Sequence, residues 1–308
     1  MFFIAGASGF IGRHLIGALQ RGGCEVRCLV RTPEKASACE RAGFGSAVGD
    51  ITDRESLRGV LDGCSITVHL VGIIEEKGDT TFERVHVRGT ENLVSEAKKA
   101  RVKHFFYQSA LGASAASSSN YLRTKAQAEE LVKASGIPYT IFRPSLVVGE
   151  GDGFTARLKD LIDIGPVVPI PGNGATKFQP MYVGDWSRCF TSLFCPSGER
   201  SPGVSGLYEI GGPEHLTYNE IIAQFLDAMG VRKPTVHVPL EMLRLSLPFS
   251  GISRGIGALL GKKIPSVTRE QLDLLQSDNI CDRDSVKKNF GFVPMTYGGA
   301  LKLFVASA

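Results

Sequence analysis

The chain contains no hydrophobic run of the ~18–20 residues that a membrane-spanning helix needs, and no run of lysine and arginine. Its formal charge of +4 over 308 residues is too small to argue for nucleic acid as a partner. No two cysteines stand in a Cys-x-x-Cys spacing, and the seven present (24, 28, 39, 64, 189, 195 and 281) are odd in number and scattered. Neither a disulfide framework nor a zinc site is implied, and reduced thiols are expected. The six histidines make no metal-ligand pattern. His14, His69 and His86 are expected as core or surface residues rather than ligands. Solenoid-period repeats and low-complexity tails are also missing. The first strand-like run starts at Met1, so no signal peptide is expected. These absences lead us to expect a soluble, cytoplasmic globular protein of one large or two modest domains.

What is present is concentrated at the start. Met1-Phe-Phe-Ile-Ala is strand-like and runs into Gly6-Ala-Ser-Gly-Phe-Ile-Gly12, followed by the apolar-faced Arg13-His-Leu-Ile-Gly-Ala-Leu19. Gly6 permits a tight turn off the strand, Gly9 lets backbone N–H groups approach a pyrophosphate, and Gly12 lets the helix pack close to the sheet. The helix start adds unpaired N–H donors and the positive end of its dipole. The spacing is G-x-x-G-x-x-G rather than G-x-G-x-x-G, but its place between strand and helix is where a dinucleotide motif belongs. A second strand, Glu25–Val30, ends at Arg31. A carboxylate there would take the free 2′-hydroxyl of NAD, whereas an arginine pairs with the 2′-phosphate of NADP, so NADP(H) is favoured over NAD(H).

Further strands are expected at Ala47–Asp50, Ser65–Gly72, Val102–Ser109 and Tyr139–Arg143. The intervening helices are expected after Ile51, over Phe82–Ala100 and over Tyr121–Ala134. Asp50 is placed either to meet an adenine amino group or to cap the helix after Ile51, for which Thr52 or Asp53 is also a candidate N-cap. Alternation at this spacing predicts an α/β fold, a Rossmann-type doubly wound parallel sheet. A smaller, mainly helical C-terminal substrate domain follows, forming a lid. Residues 1–148 plus about 176–212 are assigned to the nucleotide-binding domain, because Gly206–Ile210 reads as a strand returning to the sheet. About 149–175 plus 213–308 are assigned to the substrate domain.

Tyr121-Leu-Arg-Thr-Lys125 places a phenol and an ammonium on one helical face. An ammonium stabilises the phenolate and lowers a pKa that starts near ~10, making tyrosine a proton donor and acceptor near neutrality. Ser109, at a strand's carboxyl end, is the candidate to polarise a substrate carbonyl. The segment 240–263 mixes apolar residues with Arg244, Arg254, Lys262 and Lys263. It suits helices lining a substrate cleft, or a peripheral contact with a membrane or a protein complex.

Taken together, Gly6–Gly12, Ser109, Tyr121-x-x-x-Lys125 and Arg143-Pro-Ser-Leu-Val-Val-Gly149 resemble the short-chain dehydrogenase/reductase superfamily in its extended or atypical branches. His69-Leu-Val-Gly-Ile-Ile74, Val85-His-Val-Arg-Gly-Thr-Glu-Asn-Leu-Val94, Tyr107-Gln-Ser-Ala-Leu-Gly-Ala113, Phe178-Gln-Pro-Met-Tyr-Val-Gly-Asp185 and Tyr208-Glu-Ile-Gly-Gly-Pro213 narrow this. They are similar to bacterial relatives of the NADPH-binding accessory subunit of respiratory complex I, with NmrA-like sensors as cousins. The resemblance implies cofactor contacts from Gly6, Ser8, Gly9, Phe10, Ile11 and Gly12, then Arg31, Asp50 and Ile51. It extends them to Leu70, Val71 and Gly72, to Lys125, and to Pro144, Ser145 and Leu146. It also implies a Ser109–Tyr121–Lys125 catalytic set. Three functions stay open on this reading: an NADP(H)-dependent oxidoreductase of a carbonyl or alcohol, a non-catalytic NADPH-binding sensor or assembly protein, and a nucleotide-sugar epimerase or dehydratase. His86 stands where the sugar-nucleotide enzymes carry asparagine, which weakens the third. The small-molecule substrate is not named by any of these residues.

Overall fold

A computed structural model describes residues 1–195, 205–246 and 268–305. The chain divides into two compact units. One comprises Met1–Pro144, Val183–Ile210 and Val286–Phe292, and the other Ser145–Tyr182, Gly211–Ser285 and Val293–Ala308.

In the first unit β1 (Phe2–Ala5), β2 (Val26–Val30), β3 (Gly45–Val48), β4 (Ile66–His69), β5 (His104–Gln108) and β6 (Tyr139–Pro144) join the strand Gly206–Ile210. The sheet order is Gly206–Ile210, β6, β5, β4, β1, β2, β3, and every pairing is parallel. This is the expected Rossmann-type sheet. The order reverses at β1, whose neighbours are β2 and β4, and ligands bind outside the carboxyl ends of strands at such a point.

Between the strands lie α1 (Phe10–Arg21), α2 (Pro33–Arg41), α3 (Gly89–Lys99) and α4 (Asn120–Lys133). Helix α1 buries Gly12, Leu15, Ile16 and Leu19, the i, i+3, i+4, i+7 stripe of a helix laid on a sheet. One sheet face packs Phe3, Phe105, Tyr107 and Ile141 against Leu93 and Val132. On the other, Trp186 and Phe190 of the helix Val183–Phe194 stack on one another and meet Phe106 edge-on, with ring centroids 5.8 Å and 4.9 Å away. The Trp186 indole N–H donates to Gln108 Oε1 at 3.1 Å, which satisfies it in this apolar wall.

The second unit has its own core, with Leu158, Ile162, Ile170, Phe225, Tyr297 and Leu301 among its buried residues. Its helices start on clear signals. Asp152 accepts from Thr155 N–H at 2.6 Å to begin Gly153–Asp163, and Thr217 with Glu220 makes a capping box for Tyr218–Ala228.

Three expectations need correction. The helix expected after Ile51 is only a 3₁₀ turn at Glu55–Leu57, because Asp50 Oδ1 accepts from both the N–H and the hydroxyl of Thr52 and holds the chain in a side-chain turn. The single helix over Phe82–Ala100 instead begins as a π-helical turn, Glu83–Arg88, before α3. Residues 286–292 belong to the first unit, since Phe290 packs on Phe142 and Tyr208 and Arg188 stacks over Phe292. Within the mainly helical chain after 213, Thr235–Val238 pairs in parallel with Val168–Pro171. Of the basic, apolar stretch 240–263, residues 240–246 form a short helix and the remainder lies outside the described residues. Among the described residues no helix is long and apolar enough to cross a membrane.

Glu129 of α4 is 1% exposed and receives both Nε and Nη2 of Arg143 at 2.8 Å, the Ser109 hydroxyl at 2.5 Å, and Lys133 Nζ at 3.6 Å. It ties α4 to β5 and β6. Removing one partner of such a buried pair leaves the other charge uncompensated. Glu129→Ala is expected to cost about 3 kcal/mol, and Glu129→Gln less because it keeps the packing and one acceptor. Urea unfolding of both variants checks this, and a Glu129→Ala midpoint equal to wild type would contradict it.

Candidate functional site

A groove of about 380 Å³ opens at the carboxyl ends of β1, β2 and β4. Its wall begins at the glycine turn with Gly6, Ser8 and Gly9, passes Arg31 and Lys35, crosses Asp50 and Ile51, and ends at Leu70, Val71 and Gly72.

The turn is built by close backbone approach. Gly6 has φ +93°, and a Cβ there would lie 3.0 Å from the backbone of Leu70 and Val71. A Cβ on Gly12 would fall 2.2 Å from the Gly6 carbonyl oxygen and 2.8 Å from that of Ala7. Helix α1 is therefore pressed onto its own turn. Gly9 is the N-cap and supplies no capping side chain, and no acid stands in the first turn. The N–H groups there have no intrahelical acceptor and no competing carboxylate. These residues fit a pyrophosphate: a side-chain-free cradle under a positive helix end, with cations further along the wall.

Arg31 leaves the end of β2 and is exposed on the groove. Thr32 caps α2 and Pro33 opens it, which puts Lys35 one turn in and on the same wall. Lys35 was missed from sequence, although the Thr-Pro helix start beside Arg31 was a signal for it. Arg84, Asp79 and Thr80 also line the groove. They come from the loop and π-helical turn after β4, whose path leaves no trace in the local sequence. Asp50 lines the wall with its Oδ1 already held by Thr52. Ile51 packs on Gly89, where a Cβ would lie 2.6 Å from it.

Phe10, Ile11 and Gly12 form the first turn of α1, outside the groove lining. Pro144 ends β6 and its carbonyl accepts from Leu111 N–H at 3.1 Å. Ser145 opens the second unit together with Leu146. Its hydroxyl lies 2.6 Å and 2.7 Å from the backbone and side-chain oxygens of Asn279, and accepts from Gln179 N–H at 3.1 Å.

Lys125 sits immediately behind Gly72. A Cβ at Gly72 would lie 3.2 Å from Nζ, which donates to the Gln108 carbonyl at 2.8 Å and stands 5.0 Å from the centre of the Tyr107 ring. Burial takes Lys125 down to about 7, with Glu129 opposing. Tyr121, half-buried on the same helix, meets the rings of His86 and Phe82 edge-on at 5.6 Å and 5.9 Å. Burial raises its phenol to about 12, and the depression expected from the neighbouring ammonium is not present. Ser109 is held at the end of β5 with its hydroxyl on Glu129, and this hydrogen bond does not bring it to Tyr121.

Two histidines complete the buried layer. The Ile73 N–H donates to His86 Nε2 at 3.1 Å, which leaves the proton on Nδ1, donated to Thr124 Oγ1 at 3.0 Å. Thr90 donates to the His86 carbonyl, so His69 Nε2 donates to Thr90 Oγ1 at 3.0 Å. Burial and the Lys125 charge pull His69 down to about 3 and His86 to about 2. Both are neutral imidazoles, His86 accepting from backbone and His69 donating to a threonine hydroxyl.

These contacts stand beside a clear kinship. The chain belongs to the NAD(P)H-binding family, whose profile matches residues 6–160. It is 30% identical over 247 residues to NADH dehydrogenase (ubiquinone) 1 alpha subcomplex subunit 9 of Arabidopsis thaliana mitochondria, covering 78% of this chain and 61% of that protein. It is 27% identical over 268 residues to the 4-hydroxy-2-methyl-3-oxo-4-farnesyl-3,4-dihydroquinoline-1-oxide ketoreductase of Stigmatella aurantiaca, covering 79% of this chain and 77% of that protein. An NADPH-dependent quinone oxidoreductase from Escherichia coli, solved with NADPH, superposes with a TM-score of 0.72 at 20% identity over 98% of this chain and 99% of that one. At that identity the superposition speaks for the fold.

The two neutral histidines make stability depend on pH. Their folded pKa values lie below the unfolded value of about 6.5, so between that pH and about 3 the unfolded chain binds more protons. Their contribution to stability is full above about pH 6.5 and falls as pH drops, by up to roughly 1.4 kcal/mol per pH unit for each histidine. Urea unfolding at pH 7, 6 and 5 reads this slope, and His86→Gln is expected to remove about half of it. Constant stability from pH 7 to 5 would refute the assignment.

Proposed function

We propose that this protein is an NADP(H)-dependent oxidoreductase acting on a carbonyl or alcohol substrate. The observation that carries the cofactor choice is the pairing of Arg31 with Lys35 on the groove wall that starts at the glycine turn. Two cations at the end of β2 suit a 2′-phosphate, where a carboxylate would suit a free hydroxyl. In this reading the N–H groups after Gly9 hold the pyrophosphate, Asp50 reaches the adenine amino group, and Ile51, Leu70, Val71 and Gly72 wall the groove. Lys125, through the gap that Gly72 leaves, holds ribose hydroxyls. Pro144, at the end of β6, takes the nicotinamide end. The nicotinamide supplies or accepts a hydride when bound.

Proton movement falls to the chain itself. Tyr121 passes a proton to or from the substrate oxygen, and protonated Lys125 favours its phenolate. Ser109 orients the carbonyl only by giving up Glu129. That cost, together with a phenol at about 12, favours a second reading: a protein that binds NADPH without turnover. The relative that is a mitochondrial NADH dehydrogenase subunit supports that reading and a place in a protein complex. The ketoreductase relative supports the first.

Fluorescence titration with NADPH and NADH tests the cofactor. NADPH is expected to bind at least tenfold more tightly, a difference of about 1.4 kcal/mol. Arg31→Asp should erase the preference and Lys35→Ala reduce it. Preference for NADH in the wild type would overturn the assignment and return the epimerase reading.

The chemistry is tested by NADPH oxidation across a panel of ketones, quinones and aldehydes. Tyr121→Phe is expected to lose roughly 100-fold or more in rate with its NADPH affinity unchanged. A wild type that binds NADPH and oxidises none of it decides for the binding-only reading.

A further inference from the structure

Cys24 lies in the turn between α1 and β2, where its N–H donates to the Leu19 carbonyl at 3.0 Å. Cys195 follows the helix Val183–Phe194, its N–H donating to Thr191 at 2.8 Å. The two are 171 positions apart in sequence, yet their sulfur atoms stand 2.9 Å apart, and both are half-buried. The backbone on each side is anchored by its own hydrogen bonds, so the sulfurs are held together by the packing of two helices. A disulfide bond measures about 2.05 Å, so joining them takes a movement of less than about 1 Å. The other thiols offer less: Cys39 has a sulfur neighbour only in the buried Cys28, Cys64 and Cys189 are also buried, and Cys281 faces the Ser285 hydroxyl.

We propose that Cys24 and Cys195 form a redox modification site, a thiol pair that a hydroperoxide closes into an intramolecular disulfide. Burial and the neighbouring sulfur push the Cys195 thiol up to about 12, and either sulfur can donate its S–H to the other. Either can react first while the other closes the bond, and in one of these two equivalent routes Cys24 leads. Its thiolate attacks the peroxide, the O–O bond breaks, and a Cys24 sulfenic acid and water result. The Cys195 sulfur then displaces the hydroxyl of that sulfenic acid, its proton leaving with the hydroxyl as a second water. The sulfurs together lose two electrons and the peroxide gains them. The new bond closes a long loop, a kind of cross-link that restricts the unfolded chain strongly.

The test treats the full chain with stoichiometric hydrogen peroxide, alkylates remaining thiols, and maps non-reduced peptides by mass spectrometry. Expected are a Cys24–Cys195 linked peptide that dithiothreitol dissolves, and a melting temperature raised by roughly 5 °C. The link is absent from Cys24→Ser and Cys195→Ser, and in Cys195→Ser a dimedone adduct appears on Cys24. Recovery of both cysteines as alkylated thiols overturns the proposal. So does a disulfide that joins either of them to another cysteine or to a second copy of the chain in place of this pair.

Discussion

The contact on which the first unit depends is backbone against backbone: Gly12 in the first turn of α1 resting on the carbonyls of Gly6 and Ala7. No side chain fits there. Because the helix starts this close to the strand it follows, its uncapped N-terminus lies at the carboxyl end of β1, at the reversal in strand order. The groove exists because of that seat. Its far walls, Arg31 from β2 and Gly72 after β4, flank β1 by virtue of the sheet order. A dinucleotide-length groove follows from one glycine-lined turn and the parallel pairing on either side of it.

Beneath this wall lies a layer of polar groups that a hydrophobic core would not need. Lys125, His69, His86, Ser109 and Glu129 are all buried, and each has its hydrogen bonds largely met by backbone or by one another. Desolvation governs it. It neutralises the histidines, brings Lys125 near 7 and lifts Tyr121 to about 12. Only Glu129 holds a full complement of charge partners, with Arg143 bidentate. The layer thus separates into an ion pair that fastens α4 to the sheet and a set of weakly charged groups facing the groove.

The sheet was legible in the sequence because its signals are local: apolar runs of strand length, glycine punctuation and helical stripes between them. The glycine turn and Arg31 were legible for the same reason, since residue type and position in a strand–turn–helix unit define them. Tyr121 and Lys125 were legible as a pair but not as an environment. Burial of both is tertiary, and it reverses the simple inference that an ammonium lowers a nearby phenol. Ser109 pointing at Glu129 joins residues 20 apart on different elements, which no spacing rule reveals. The π-helical turn over Glu83–Arg88 precedes a glycine closely packed on Ile51, and Phe290 joins the first unit through rings brought from β6 and Gly206–Ile210. A short apolar segment does not say which core it enters.

Gly72 carries the last step of the argument. Its missing side chain leaves the groove wall one backbone thick in front of the Lys125 amine, and the same gap faces His86 Nε2 at 3.6 Å. An amine poised near 7 changes its charge with what stands across that wall. An anion in the groove favours the ammonium, so anion binding and the charge of this buried lysine are linked across the one wall residue that has no side chain.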